Sequence, residues 1–414
     1  MTSRPVRLAR YIALGLACIL TVVGCANSVG GSAKPRPGDL VNLKALDTGT
    51  FQTDPSPPFP PVTSSTPDAE LIRVEEQRMA EFIILPADVD PELRDYNEPT
   101  GTMPATAEAV LGSKRAYTDL LKTTLGGFTA AAGSPGTAGK TYPKLSLTLM
   151  VARFITPQDA AAAAKKAIDT VVADSTAAPA DEVQRPVAVP GVAFAARMAR
   201  SVSGGPALLS ATPSGVFVIF ARTLGEPDQE SKLAPLLTKA TAAQITEIKK
   251  FPALARGPNA QLPVDSDSIL IYTIPDADSA NRAGTTRAVY GPTGASHFAG
   301  DDQPAVRKLF VDTGTDHIAV WKTTVFRSAT AAGASRVMTT QMPNPSATIR
   351  VTSPPVGLPV ARCLSRDTVI GPQYECWVQV GRYLGVATDR SAVTTRQMIS
   401  AQYKILLKAD QNHS

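Results

Sequence analysis

The residues with the greatest chemical potential are few. Ser296 and His297 are adjacent on a loop spanning 290–303, and Asp301 and Asp302 follow closely. A serine, a histidine and a carboxylate can form a nucleophile–base relay, which is defined by geometry and not by chain order. A hydrolase or transferase using His297 with nearby Ser and Asp is therefore one reading. Adjacent polar residues on such a loop equally serve as solvated turn formers, and neither a Gly-x-Ser-x-Gly elbow nor a His-Glu-x-x-His helix accompanies them. His317 and His413 are the only other histidines; His317 opens a predicted strand and reads as a strand-edge residue. The run from Gly133 to Thr141 looks like a phosphate loop, but Ser134 stands where the motif requires its first glycine. The run also leads into an alternating strand instead of the helix N-terminus that cradles phosphate. Asp88/Asp90 and Asp265/Asp267 lack the frame of a calcium loop, and Asp276/Asp278 or Asp301/Asp302 could share a weak cation site, but turn capping is the better reading of these acids. No catalytic set, cofactor or metal ligand set is expected.

The cysteines carry a clearer signal. Arg4, Arg7 and Arg10 precede an apolar run from Tyr11 to Val23. Such a run extends about 20 Å as a helix, short of the ~30 Å core of a bilayer. Residues 1–24 therefore read as a secretory signal peptide. It ends Val22-Val23-Gly24-Cys25, which resembles a bacterial lipobox, where small residues precede a cysteine that is acylated and becomes the first residue. Cys25 is thus the lipidation site, and the expected location is the extracytoplasmic face of the cell membrane, with the lipid anchor as the membrane contact. Cleavage removes three arginines and lowers the net charge from +5 to +2. With Cys18 in the discarded segment, Cys363 and Cys376 remain, and an oxidising compartment favours a bridge between them.

Length and composition bound the architecture that must position these residues. The chain has 414 residues, 43% hydrophobic, 19% charged and 6% aromatic. This suits two ordinary domains and excludes a polytopic membrane protein or a collagen-like fibre. Scattered Lys and Arg without interleaved aromatics argue against nucleic acid as a partner. Residues 25–66 are rich in Pro, Ser and Thr and read mainly as a tether, with a short strand or docked turn at Val41–Leu46.

A helix from Asp68 to Phe82 should lead into a short strand, Phe82-Ile83-Ile84-Leu85. After a turn-rich region come a strand near Leu145–Phe154, a helix capped by Thr156 to about Val172, strands near Val192–Arg197 and Val216–Arg222, and a helix from about Gln229 to Lys250. The second half repeats this order. It has a strand at His317–Phe326, a helix opened by Ser328 and strands at Pro359–Leu364 and Cys376–Val386. A final helix spans Ser391 to Lys408. Trp321 and Trp377 fall on equivalent strands as packing residues.

The expected fold class is α+β, with two repeated strand-helix-strand-strand-helix domains and helices on one face of mainly antiparallel sheets. The expected divisions are a first domain at 67–256, a linker at 257–262, a second domain at 263–409 and a tail at 410–414. The lipobox, the Pro-rich tether, the Arg78-Met-Ala-Glu-Phe-Ile-Ile-Leu-Pro86 stretch and the duplicated body together resemble actinobacterial cell-envelope lipoproteins of the mycobacterial and nocardial type. That resemblance supplies no catalytic residues. The favoured reading is a lipid-anchored, non-enzymatic envelope protein that binds a ligand or partner, or has a structural role. The alternatives are the His297 enzyme and a carrier of an apolar ligand.

Overall fold

The computed structural model describes residues 40–63, 68–97, 99–103, 105–135, 142–253, 261–276 and 287–410. The signal peptide, Cys25, residues 136–141, Asp278, His413 and most of the expected linker lie outside these.

Two antiparallel sheets form the body. The first runs, in spatial order, Asp95–Tyr96, Gly127–Gly133, Leu145–Arg153, Phe217–Gly225, Ala207–Ser214, Phe194–Met198 and Arg185–Pro186, with Gly101–Thr102 also paired to Gly127–Gly133. The second runs Ala288–Tyr290, His317–Val320, Thr323–Arg327, Tyr383–Asp389, Gly371–Val380, Arg362–Thr368 and Ile349–Thr352. The same connectivity occurs twice. In each half an edge strand is followed by two short helices, a strand pair, a helix, four further strands and a closing helix. The α+β class, the antiparallel pairing and the repeat are all present.

Hydrogen bonds fix the register of the repeat. Leu125 N–H donates to Arg153 O, as Asp316 N–H donates to Arg327 O. Phe154 N–H donates to Val216 O, as Ser328 N–H donates to Arg382 O. Arg153 therefore corresponds to Arg327, and Thr156 to Thr330. Thr330, not Ser328, caps the helix Ala331–Gln341 by accepting from Gly333 N–H. Ser328 is instead tied to the Thr315 hydroxyl at 2.7 Å. In the first half the expected cap is present: Thr156 and Asp159 form a reciprocal capping box on Pro157–Asp174.

The expectation of helices on one face is corrected. Leu145, Leu147, Leu149 and Val151 pack with the helix Glu230–Ile248. The intervening Met150 and Ala152 pack with Pro157–Asp174 and the helices Ala107–Leu111 and Lys114–Leu121 on the other side. Successive strand residues point to opposite faces, so a fully buried strand requires cover on both. The second half repeats this, with Ala392–Leu406 on one face, and Gln303–Asp312 and Ala331–Gln341 on the other.

Several elements depart from the sequence reading. His317–Phe326 and Cys376–Val386 are each two strands joined by a tight turn, and Trp321 sits in the first of those turns. Trp377 does pack in the core, stacked on Phe326. The stretch Ile83 to Leu85 is extended but joins no sheet. The Gln244 side chain replaces the strand partner, donating to Phe82 O and accepting from Ile84 N–H. Residues 40–63 run along the second domain and are not a free stalk. The docked turn expected at Val41–Leu46 is there, with Asn42 N–H bonded to Gly357 O and Leu46 in the core. Beyond it Phe59 packs edge-on against Trp321, and Val62–Thr63 pairs with Gln261–Leu262.

Candidate functional site

The loop carrying Ser296, His297, Asp301 and Asp302 lies at the junction of the two domains. Residues 292–296 form a short helix whose Thr293 and Gly294 N–H groups both donate to Glu81 of the first domain, at 3.1 and 2.8 Å. A β-carbon on Gly291 would stand 2.6 Å from the Glu81 carboxylate, so a side chain there would have to push that carboxylate aside. His297 is fully buried, tilted against Phe128, with Nε2 3.1 Å from Ala80 O. Its Nδ1 has no partner. Burial pulls the imidazole pKa down to about 4, outweighing the Ala80 and Ile83 backbone contacts that favour its charged form. The ring is therefore neutral and donates through Nε2.

The relay suggested by the sequence is not assembled. The Ser296 hydroxyl donates to Pro292 O at 2.6 Å, one helical turn back. Asp302 caps the helix Gln303–Asp312 by accepting from Ala305 N–H. None of these contacts links serine to histidine or histidine to an aspartate. Sequence reasoning missed that His297 is a junction residue, because its partner Ala80 lies 217 positions away.

Further polar contacts bind the halves. Arg307 grips Asp88 through two guanidinium nitrogens, one at 2.9 Å. Gln303 N–H donates to Arg94 O, Tyr96 N–H to Gly300 O, and Gln77 Nε2 to Arg287 O. Glu76, buried beside the junction, accepts from Gly127 N–H, and desolvation pushes its carboxyl well above the usual range.

Next to this lock lies a cavity of about 460 Å³. The first domain contributes Thr100, Gly101, Thr102, Ala105 and Thr106. The second contributes Tyr290, Ala295, Phe298, Ala299, Val306, Phe310, Ile318, Val320, Thr324, Phe326 and Gln341. The secondary structure explains why these side chains converge. Ile318 pairs with Phe326, and Val320 with Thr324, on one face of the hairpin. Val306 and Phe310, four residues apart, share a helix face turned toward it. Phe298 is 43% exposed and lies between Phe128 and Tyr290. The walls are mostly apolar, with hydroxyl-bearing residues from both domains among them, and the volume falls within the roughly 300–1,000 Å³ typical of small-molecule pockets.

The remaining candidates have structural roles. Asp265 accepts from Leu270 and Ile271 N–H groups, and Asp90 from Glu92 N–H, as turn caps. His317 opens its strand, within ion-pair distance of Asp316 and Asp267 and hydrogen-bonded to Arg327. Gly133 pairs with Ser146 on the neighbouring strand, and the described residues that follow the run lead into the strand Leu145–Arg153, where a phosphate loop would need a helix. Cys363 and Cys376 are directly opposite on neighbouring strands and form a disulfide. Among the described residues no three His, Cys, Asp or Glu side chains are grouped to hold a metal, and no helix is long and apolar enough to cross a membrane.

Fold and junction define a two-domain α+β protein in which one antiparallel unit occurs twice and a ligand-sized cavity lies beside the interdomain lock. The chain belongs to the family described as a domain of unknown function, DUF7373, whose N-terminal model matches residues 62–264 and whose C-terminal model matches 269–409. No curated protein matches it. Among solved structures, the extracellular domain of PknH from Mycobacterium tuberculosis is similar at 10% identity and a TM-score of 0.30, over 42% of this chain and 96% of that one. A likeness so slight carries no conclusion about fold or function.

Proposed function

We propose that the chain is a lipid-anchored, non-enzymatic binding protein on the extracytoplasmic face of an actinobacterial cell membrane, and that the junction cavity takes the apolar part of its ligand. The observation that carries this reading is the cavity itself, walled by Phe298, Phe310, Ile318, Val320 and Phe326. Each ligand methylene buried there contributes about 0.8 kcal/mol. The export signal and Cys25 support the location. The rich Ala, Pro and Thr content fits a genome of high GC content.

Titration with the fluorescent apolar probe N-phenylnaphthylamine tests the binding site. The folded protein should give saturable enhancement, and Ala299→Trp, which fills the cavity from a wall residue, should abolish it. Equal enhancement in both proteins would refute the site. Cys25→Ala should shift the protein from the membrane fraction to the medium and remove palmitate labelling; retained label would refute the anchor.

A further inference from the structure

A second cavity, of about 540 Å³, opens on the first domain and shares no lining residue with the first. Its position follows from the sheet. Val218 and Phe220 on the strand Phe217–Gly225 are covered by the helical layer. Two residues on, at Arg222, that cover ends, and the face continues with Thr148 opposite Arg222 and Ser146 opposite Leu224. Tyr96 and Tyr142 add to the lining.

Arg222 differs from the buried arginines Arg153 and Arg327. Arg153 is paired with Glu75, and Arg327 with Asp316 and Asp267. Arg222 Nη1 donates to the carbonyls of Ala109 at 2.8 Å and Val110 at 3.4 Å. Among the described residues Nε and Nη2 have no partner, and no carboxylate lines the cavity. The two carbonyl bonds hold the guanidinium in place and leave one edge for a ligand. A partly buried cation without a counterion is costly, and an oxyanion that accepts from two guanidinium nitrogens offsets that cost. Burial lowers the affinity of Arg222 for its proton, with no acidic group opposing the shift.

We propose that this cavity binds a small hydroxylated molecule through a carboxylate or phosphate group held by Arg222, with Thr148 and Ser146 on its floor and Tyr142 at its rim. The site is separate from the apolar junction cavity and does not depend on that cavity being occupied.

Calorimetric titration of the folded protein with glucuronate, inorganic phosphate and neutral glucose tests it. Saturable binding of glucuronate assigns a carboxylate, and of phosphate a phosphate group; glucose should not bind. Arg222→Gln should weaken the bound anion about tenfold or more, as expected for a charge-assisted hydrogen bond, and Arg222→Lys should restore part of the loss. If Arg222→Gln fails to fold, Thr148→Val and the rim variant Tyr142→Ala take its place, with at least one weakening glucuronate binding. Failure of both anions to saturate the wild-type protein overturns the proposal, as does unchanged affinity in the Arg222→Gln variant or in both substitutes.

Discussion

His297 should make the domain junction sensitive to acid. Its imidazole is fully buried, and its pKa falls from 6.5 to about 4 on folding. The unfolded chain therefore binds more protons than the folded one between these values, so stability is complete above the unfolded pKa and declines as pH falls toward the folded one. A shift of that size corresponds to about 3 kcal/mol at 1.36 kcal/mol per unit. The charged groups that act on the ring are Arg307, which disfavours its protonation, and Asp88, which favours it. Glu76 works with the opposite sign: its raised carboxyl pKa contributes stability below the unfolded value and loses it as pH rises. A comparison with His297→Gln cancels Glu76, because both proteins keep it, and replaces the ring with a neutral amide that still has a donor. Urea unfolding followed by tryptophan fluorescence suits the test, since Trp321 and Trp377 both lie in the second domain. The stability advantage of wild type over variant should shrink by about 3 kcal/mol between about pH 7 and about pH 4. Parallel loss of stability in the two proteins would refute the reasoning.

Three further outcomes follow from named contacts. Glu81→Ala leaves the Thr293 and Gly294 N–H groups without their acceptor and should cost about 1–3 kcal/mol, read from the urea midpoint; Gly291→Ala should lower the same midpoint by displacing the carboxylate. Replacing both Cys363 and Cys376 with Ala should cost about 3 kcal/mol by the loop-closure relation and lower the thermal midpoint. A reductant should then have no further effect on the doubly substituted protein.

The fold was legible in the sequence where local signals and burial agreed. Thr156 with Pro157 and Asp159 announced a helix start, and Ser391 before Ala392–Leu406 did the same. The strand Gly127–Gly133 was hidden because Gly-Phe-Thr-Ala-Ala-Ala-Gly has no alternation and only Thr129 as a β-branched residue. Its small residues are required by packing: a β-carbon on Gly127 would stand 2.3 Å from Val151 O. The docking of residues 47–63 was hidden by their proline content, which suggests a solvated spacer. Phe51 and Phe59 nonetheless pack on the second domain.

The candidate site was less legible than the fold. Ser296 and His297 stood out by residue type, yet their partners are backbone carbonyls, one of them in the other domain. The cavity wall combines Val306 and Phe310 at helical spacing with Ile318, Val320 and Phe326 at strand spacing. Each pattern alone reads as ordinary core, and only the docking of Thr100, Gly101, Thr102, Ala105 and Thr106 makes the group a pocket. Arg222 gave no sign, because the lack of a carboxylate partner for it among the described residues is a property of the folded surface.

Native mass spectrometry of the mature protein purified from its own membranes tests the binding role most directly. The expected spectrum shows an apolar molecule bound to the wild-type protein, released on denaturation and missing from Ala299→Trp. A wild-type mass equal to that of the acylated polypeptide alone, or the same adduct in both proteins, would contradict it.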